Sequence, residues 1–354
     1  MTMFDAFASY PALLIASVFV LSLLVGSFLN VVIYRLPIML DRDWRSQASE
    51  ILDVGRESAA ADSGGDASAI QPGGDAAAIG PGDAASAIGP AGEAAAIGHG
   101  GETVAMRPDA EALVHLAPYN LVVPRSACPH CNAPIKAHQN IPVLSYLWLG
   151  GRCASCGARI SPRYPIIELA TAVLSAAVAW RFGWHWQTLA ALMLTWSLIA
   201  LAVIDFDHEI LPDAITLPLL WLGLVLSVAW HADLQPTIPV DPASAISGAA
   251  AGYLILWLVY WMFKLMTGKD GMGYGDFKLL AAFGAWMGWQ MLPLIILLSA
   301  ATGALTGVAL VVLRRHERGK PMPFGPFLAI AGWVAMMWGP QFADYYLRYT
   351  GFAY

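Results

Sequence analysis

Long apolar runs recur along the chain, each bounded by Gly, Pro, Trp or charge. Eight of them approach the length of a membrane-crossing helix, about 20 residues. They are Pro11–Ile33, Tyr164–Phe182, Thr188–Ile204, Ala214–Trp230, Ala243–Leu265, Phe277–Gly288, Met291–Leu313 and Phe324–Gly339. The sixth and eighth are short for a crossing. The pattern predicts an all-α polytopic membrane protein with about eight transmembrane helices.

Composition strengthens that expectation. Of 354 residues, 58% are hydrophobic and only 12% are Asp, Glu, Lys or Arg, where a soluble domain averages about 25% charged. The deficit argues against a soluble enzyme, and a net charge of −6 excludes a nucleic-acid binder with a basic surface. Lipid must solvate the apolar surface.

Orientation follows from Lys and Arg, which collect in cytoplasmic loops. With the N-terminus outside, every Lys and Arg except Arg181 and Arg348 falls on the inner side. The split supports both the topology and the span count. The first run has no Lys or Arg before it and is too long for a signal-peptide core, so it is expected to be a retained span.

Four domains are expected: a first transmembrane helix at 1–35, a cytoplasmic linker at 36–119, a cysteine-bearing domain at 120–165 and a seven-helix membrane catalytic domain at 166–354. Within the linker, residues 64–108 form five imperfect nonapeptides, GGDASAIQP, GGDAAAIGP, GDAASAIGP, AGEAAAIGH and GGETVAMRP. They lack the glycine and Asp spacing of the calcium-binding nonapeptide roll. Their scarcity of large apolar side chains predicts a disordered, mildly acidic insertion.

The cysteines are Cys128-Pro-His-Cys131 and Cys153-Ala-Ser-Cys156, the spacing of a zinc ribbon. Two knuckles supply a closed tetrahedral four-sulfur shell, so the zinc is expected to be structural. Two disulfides are the other use of four cysteines, but a cytoplasmic loop keeps thiols reduced. His130 and His138 are expected to be exposed loop residues rather than ligands.

Ionisable residues at a membrane boundary are costly and usually functional. One group is Asp205-Phe-Asp207-His208-Glu209 with Asp213, at the end of the third run; the other is Gly273-Tyr-Gly275-Asp276-Phe-Lys278, at the start of the sixth. Both fall on the cytoplasmic face. Two carboxylates from different helices can share one proton there and activate water as an aspartyl protease does. Asp205 and Asp276 are the expected catalytic pair. Asp207, Glu209 and Asp213 could draw in a basic substrate segment, the glycines Gly273 and Gly275 could admit an extended peptide, and Lys278 stands beside them. Helix capping is the other use of these acids. No H-E-x-x-H or G-x-S-x-G occurs, and the glycines at 271–275 follow no soluble strand, so metalloprotease, serine hydrolase and nucleotide-loop readings are weak. A membrane scaffold or transporter with a zinc docking domain is the alternative class, but transporter acids belong near the bilayer midplane.

These residues together resemble the type IV prepilin peptidases, bifunctional enzymes of the bacterial inner membrane. The resemblance rests on Gly26-Ser-Phe-Leu-Asn30 with Arg35 and Pro37, the cysteine knuckles, Arg163-Tyr-Pro-Ile-Ile-Glu168, Ile204-Asp205 with Leu211-Pro-Asp213, Gly273-Tyr-Gly275-Asp276-Phe-Lys278 and Pro323-Phe-Gly-Pro326. It covers nearly the whole chain outside about Ile51–Leu116. It implies that Asp205 and Asp276 are catalytic, Asp276 being the acid of a G-x-G-D motif. It also implies cleavage of the basic leader of prepilins and type II secretion pseudopilins, usually ahead of a Phe, followed by methylation of the new N-terminus with S-adenosylmethionine. Nothing in the residues themselves points to methyl transfer, and they assign neither a binding site for the methyl donor nor an oligomeric state.

Overall fold

The computed structural model describes residues 7, 9–63, 119–228, 240–269, 271–313 and 323–350. Among these, strand pairing is limited to two isolated antiparallel bridges, and helices carry the rest of the regular structure. In chain order the helices are α1 (Pro11–Ser63), α2 (Leu144–Trp148), α3 (Arg163–Phe182), α4 (Trp186–His208), α5 (Asp213–Val228), α6 (Pro242–Thr267), α7 (Tyr274–Met287), α8 (Leu292–Val312) and α9 (Gly325–Thr350). Over their described residues the eight apolar runs fall mainly on α1 and α3–α9, one run to each helix.

Five helical stretches are long and apolar enough to cross a membrane: Pro11–Ile51, Arg163–Phe182, Trp186–His208, Pro242–Thr267 and Trp289–Val312. The chain is a multi-pass membrane protein. Helix α5 is apolar but has only 16 residues. Helix α7 has 14 residues, about 21 Å of rise, and falls short of a hydrocarbon layer of about 30 Å. Protein rather than lipid surrounds it. From Asp276 to Met287 every residue of α7 except Lys278 is buried, with α5, α6 and α9 packed around it.

The chain divides into two compact units, one of residues 1–39 and 119–354, the other of residues 40–118. The nonapeptide array at 64–108 lies outside the described residues. Helix α1 does not stop where its apolar run does but continues to Ser63 with Pro37 inside it. Good helix formers such as Met39, Leu40, Arg45 and Gln47 follow the run and sustain the helix.

Sequence periodicity sets the contacts in the first unit. Ser22, Gly26, Leu29, Asn30 and Ile33 form the buried stripe of α1, at the three- and four-residue steps of one helix face. Leu29 and Ile33 join Ile167, Ala200 and Ile204 in a small core between α1, α3 and α4. Gly26 permits that approach, since a Cβ there would lie 2.7 Å from the Glu168 Cα. The larger core is built on α7, where Phe277, Phe283 and Trp286 are fully buried. The Trp286 indole N–H donates to the Leu219 carbonyl at 2.8 Å. On the outer helices large apolar side chains stay exposed, among them Leu297, Leu305 and Val312 of α8, as lipid solvation requires.

Candidate active site and metal centre

Helix α4 ends at Glu209, which takes the left-handed conformation (φ 56, ψ 33) and returns its N–H to the Asp205 carbonyl at 2.9 Å. The end of the helix therefore places Asp205 one turn inside, under the turn that leads to α5. Asp205 is 5% exposed. One of its carboxylate oxygens, Oδ2, accepts the N–H of Gly325 at 3.0 Å, at the start of α9.

Helix α7 begins after Gly273, whose extended backbone starts the first turn. Asp276 is the third helical residue and is 6% exposed. Its Oδ1 is buried without a hydrogen-bond partner among the described residues. Buried polar atoms are nearly always paired, and this oxygen is an exception.

The two acids share a neighbourhood. Their carboxylates interact electrostatically, and Leu211 lies against both backbone approaches. A Cβ on Gly275 would meet the Leu211 Cβ at 2.6 Å; a Cβ on Gly325 would meet Asp205 Oδ2 at 2.6 Å and Leu211 Cδ2 at 3.2 Å. Gly275 is thus needed for close packing of α7 on Leu211. Gly273 meets nothing nearer than 4.0 Å and is the more open of the two glycines.

The other acids divide. Asp207 forms an ion pair with Arg163, the first residue of α3. Asp213 receives the Lys278 ammonium at 2.6 and 2.7 Å. Lys278 and Asp213 therefore engage each other, tying α5 to α7. Glu209 is exposed and makes no ion pair among the described residues.

Residues of the first-run and third-helix motifs turn out to be fasteners. Asn30 donates to the Tyr164 carbonyl at 3.1 Å. The Arg35 guanidinium reaches the carbonyls of Asn120 and Pro124 and so holds the cysteine segment against α1. Glu168, buried in α3, accepts the N–H of Val143 at 2.8 Å.

The four cysteine sulfurs lie within 4.8 Å of one another. The two knuckles repeat the same local fold 25 residues apart. Cys128 N–H donates to Ala133 and Cys153 N–H to Ala158; Ile135 N–H donates to Ser126 and Ile160 N–H to Gly151. Each turn closes through a left-handed residue, Asn132 (φ 54) in one and Gly157 (φ 71) in the other. Cys128 and Cys156 Sγ are 3.9 Å apart and all four thiols are free. That spacing is too long for a bond between these two sulfurs and matches the edge of a tetrahedron with metal–sulfur bonds of about 2.3 Å.

The N–H groups of Cys156 and Ser155 hold the Cys153 thiol down to about 6. Cys156 is pushed up to about 11: the Ala158 N–H lowers it, but burial and the neighbouring sulfurs outweigh that. Four thiolates this close need a cation between them. A bound metal fits this donor set. His130 and His138 are exposed and lie outside it.

Comparison with known proteins identifies the family. Residues 20–182 match the bacterial peptidase A24 N-terminal domain, and residues 192–308 match the type IV leader peptidase family. The chain is 46% identical over 352 residues to a prepilin leader peptidase/N-methyltransferase of Pseudomonas aeruginosa, covering 99% of this chain and 100% of the relative. It is 48% identical over 337 residues to the protein of that name from Aeromonas hydrophila, covering 95% of each. A Legionella pneumophila relative is 38% identical over 341 residues, 96% of this chain and 97% of the relative. No solved structure matches the chain. Matched along its whole length by relatives of one name, the chain belongs to the type IV leader peptidase family.

Proposed function

We propose that this chain is a prepilin leader peptidase and N-methyltransferase of the bacterial inner membrane, with Asp205 and Asp276 as its proteolytic pair. The observation that carries the reading is that two carboxylates, at the end of α4 and the start of α7, are both buried where Leu211 packs against Gly275 and Gly325, one of them with an oxygen left unpaired. The N–H of Gly325 suits a negative charge on Asp205. Asp205 takes a proton from the attacking water, while the shared proton on Asp276 is directed to the scissile carbonyl oxygen. Collapse of the tetrahedral intermediate passes a proton to the leaving amine and restores the pair.

The substrate is the basic leader of a prepilin or a type II secretion pseudopilin, cut ahead of its apolar helix. The leader lies at the cytoplasmic face and the helix stays in lipid. The Lys and Arg asymmetry supports eight crossings with a periplasmic N-terminus and a cytoplasmic cysteine domain. The cysteine site takes zinc, whose role is to hold residues 120–165 folded. S-adenosylmethionine supplies the methyl group placed on the new N-terminal amine. The remaining membrane helices, 166–354, form the proteolytic domain.

The test is cleavage of a synthetic leader-bearing prepilin in detergent by wild type, Asp205→Asn and Asp276→Asn, each checked for fold and bound zinc. Both variants are expected to retain fold and zinc and lose cleavage. A folded variant that cuts at the normal rate overturns the assignment.

A further inference from the structure

Helix α2 buries little of itself. Leu144, Leu147 and Trp148 are 63%, 68% and 84% exposed. Their spacing, i, i+3 and i+4, puts all three on one side of the helix. An apolar face of this kind, led by a Trp, suits the boundary between lipid and water.

The attachment of α2 fixes its depth. Helix α3 has 20 residues, a rise of about 30 Å that matches the hydrocarbon layer. Arg163 therefore stands at the headgroup level, and Glu168 lies about 7 Å deeper along the axis. Glu168 holds the N–H of Val143, the residue immediately before α2, at 2.8 Å. Even with the carboxylate reaching back toward water, α2 begins at the level of the headgroups. Val143 is held at φ 58 to make this contact, a backbone conformation disfavoured for a β-branched residue.

A second feature adjoins the first. Arg152 and Arg159 face each other across an antiparallel bridge and line an open cleft of about 570 Å³ with Tyr146, Gly151 and Ser161. Neither arginine has an ion-pair partner among the described residues. Like charges opposite one another repel, and an anion between them removes the repulsion.

We propose that α2 is an interfacial anchor. Leu144, Leu147 and Trp148 enter the leaflet at the N-terminal end of α3, and Arg152 and Arg159 bind the phosphate of an anionic lipid headgroup in the adjoining cleft. The metal-knuckle domain is thereby seated on the bilayer beside the carboxylate pair. The inference rests on α3 crossing the membrane and is independent of the proteolytic reading.

The test uses the full chain in nanodiscs, with the Trp148 signal taken as the difference between wild type and Trp148→Phe. That signal is expected to be blue-shifted, quenched by lipid brominated near the top of its acyl chains, and protected from acrylamide in the water. Exchanging phosphatidylcholine for phosphatidylglycerol is expected to deepen the lipid quenching, and Arg152→Ala with Arg159→Ala to abolish that gain. Leu147→Trp, added without removing Trp148, reports on the same face independently. Acrylamide quenching without lipid quenching overturns the anchor. Lipid quenching that is the same in both lipids overturns the headgroup site. A signal that depends on a second copy in the disc instead identifies that copy as the occupant and overturns both.

Discussion

The N–H of Gly325 donates to the Asp205 carboxylate at 3.0 Å across 120 residues of sequence. A Cβ at this position would stand 2.6 Å from the accepting oxygen, so only glycine allows α9 to begin there. Gly325→Ala is expected to displace the Asp205 carboxylate while leaving the helices and the cysteine cluster intact. Misplacing a reacting group by about 1 Å costs on the order of a hundredfold in rate. Cleavage measured beside circular dichroism and metal content checks this; a folded variant within twofold of wild type would sink the positioning role.

Glu209 separates charge from backbone strain. Asp207 and Asp213 are already occupied by Arg163 and Lys278, which leaves Glu209 as the acid of the turn able to attract a basic leader. It also holds φ 56 at the end of α4, a conformation that glycine adopts more easily than glutamate, by roughly 1 kcal/mol. Glu209→Gly is expected to keep or raise thermal stability while lowering kcat/KM for a Lys-bearing leader at low salt. The deficit should fade as salt rises, because exposed charges separated by more than about 10 Å are screened at 0.1 M. A deficit unchanged at high salt would mean that Glu209 acts through something other than long-range attraction.

Much of the fold was legible because lipid imposes a simple rule: a helix facing it is apolar along its length. The five helical stretches long and apolar enough to cross a membrane follow that rule. Helix α7 broke the rule in an informative way. Its run from Phe277 is apolar because protein surrounds it, and hydropathy does not distinguish a protein interior from lipid. The cysteine cluster was legible because two C-x-x-C knuckles at that spacing have few other uses, and the burial of Asp205 and Asp276 is what acids at helix ends on a membrane boundary led one to expect. Gly325, Glu168 and Arg35 stood in recognised motifs, but their partners lie across the fold and no local pattern announces them. The pairing of Asp213 with Lys278, 65 residues apart, was invisible for the same reason, so three acids looked equally available when one is.

Helices α6 and α7 meet through glycine. A Cβ on Gly284 would collide with the backbone of Gly248, and a Cβ on Gly248 would collide with the Gly284 carbonyl. Alanine at position 284 gains up to about 1 kcal/mol of helix propensity. Backbone cannot swing aside as a side chain can, and overpacking of this kind costs about 1–3 kcal/mol. The net expectation for Gly284→Ala is a lower melting temperature in detergent and reduced cleavage, since α7 carries Asp276. Gly268→Ala is a contrast: nothing lies within 4 Å, but φ is +68, so it should lose some stability without separating the helices. Equal loss of cleavage by the two variants at matched stability would remove α6–α7 spacing as the cause.

The cysteine cluster predicts its own pH behaviour. Thiolates bind metal and thiols do not, so protons compete with the ion, and metal is released as pH falls. Once the metal is stripped, Cys153 is held down to about 6 by the N–H groups of Cys156 and Ser155 and is already a thiolate near neutrality. Cys156, pushed up to about 11, remains a thiol there. Iodoacetamide should therefore label Cys153 first in the metal-free chain, with a rate that has levelled off by neutral pH, while labelling of Cys156 still climbs through the alkaline range. Bound metal should protect all four positions, and Cys131→Ser should release the ion, counted with a chromogenic chelator. Peptide mass spectrometry of the labelled protein decides the order; Cys156 labelled ahead of Cys153 near neutrality would overturn it.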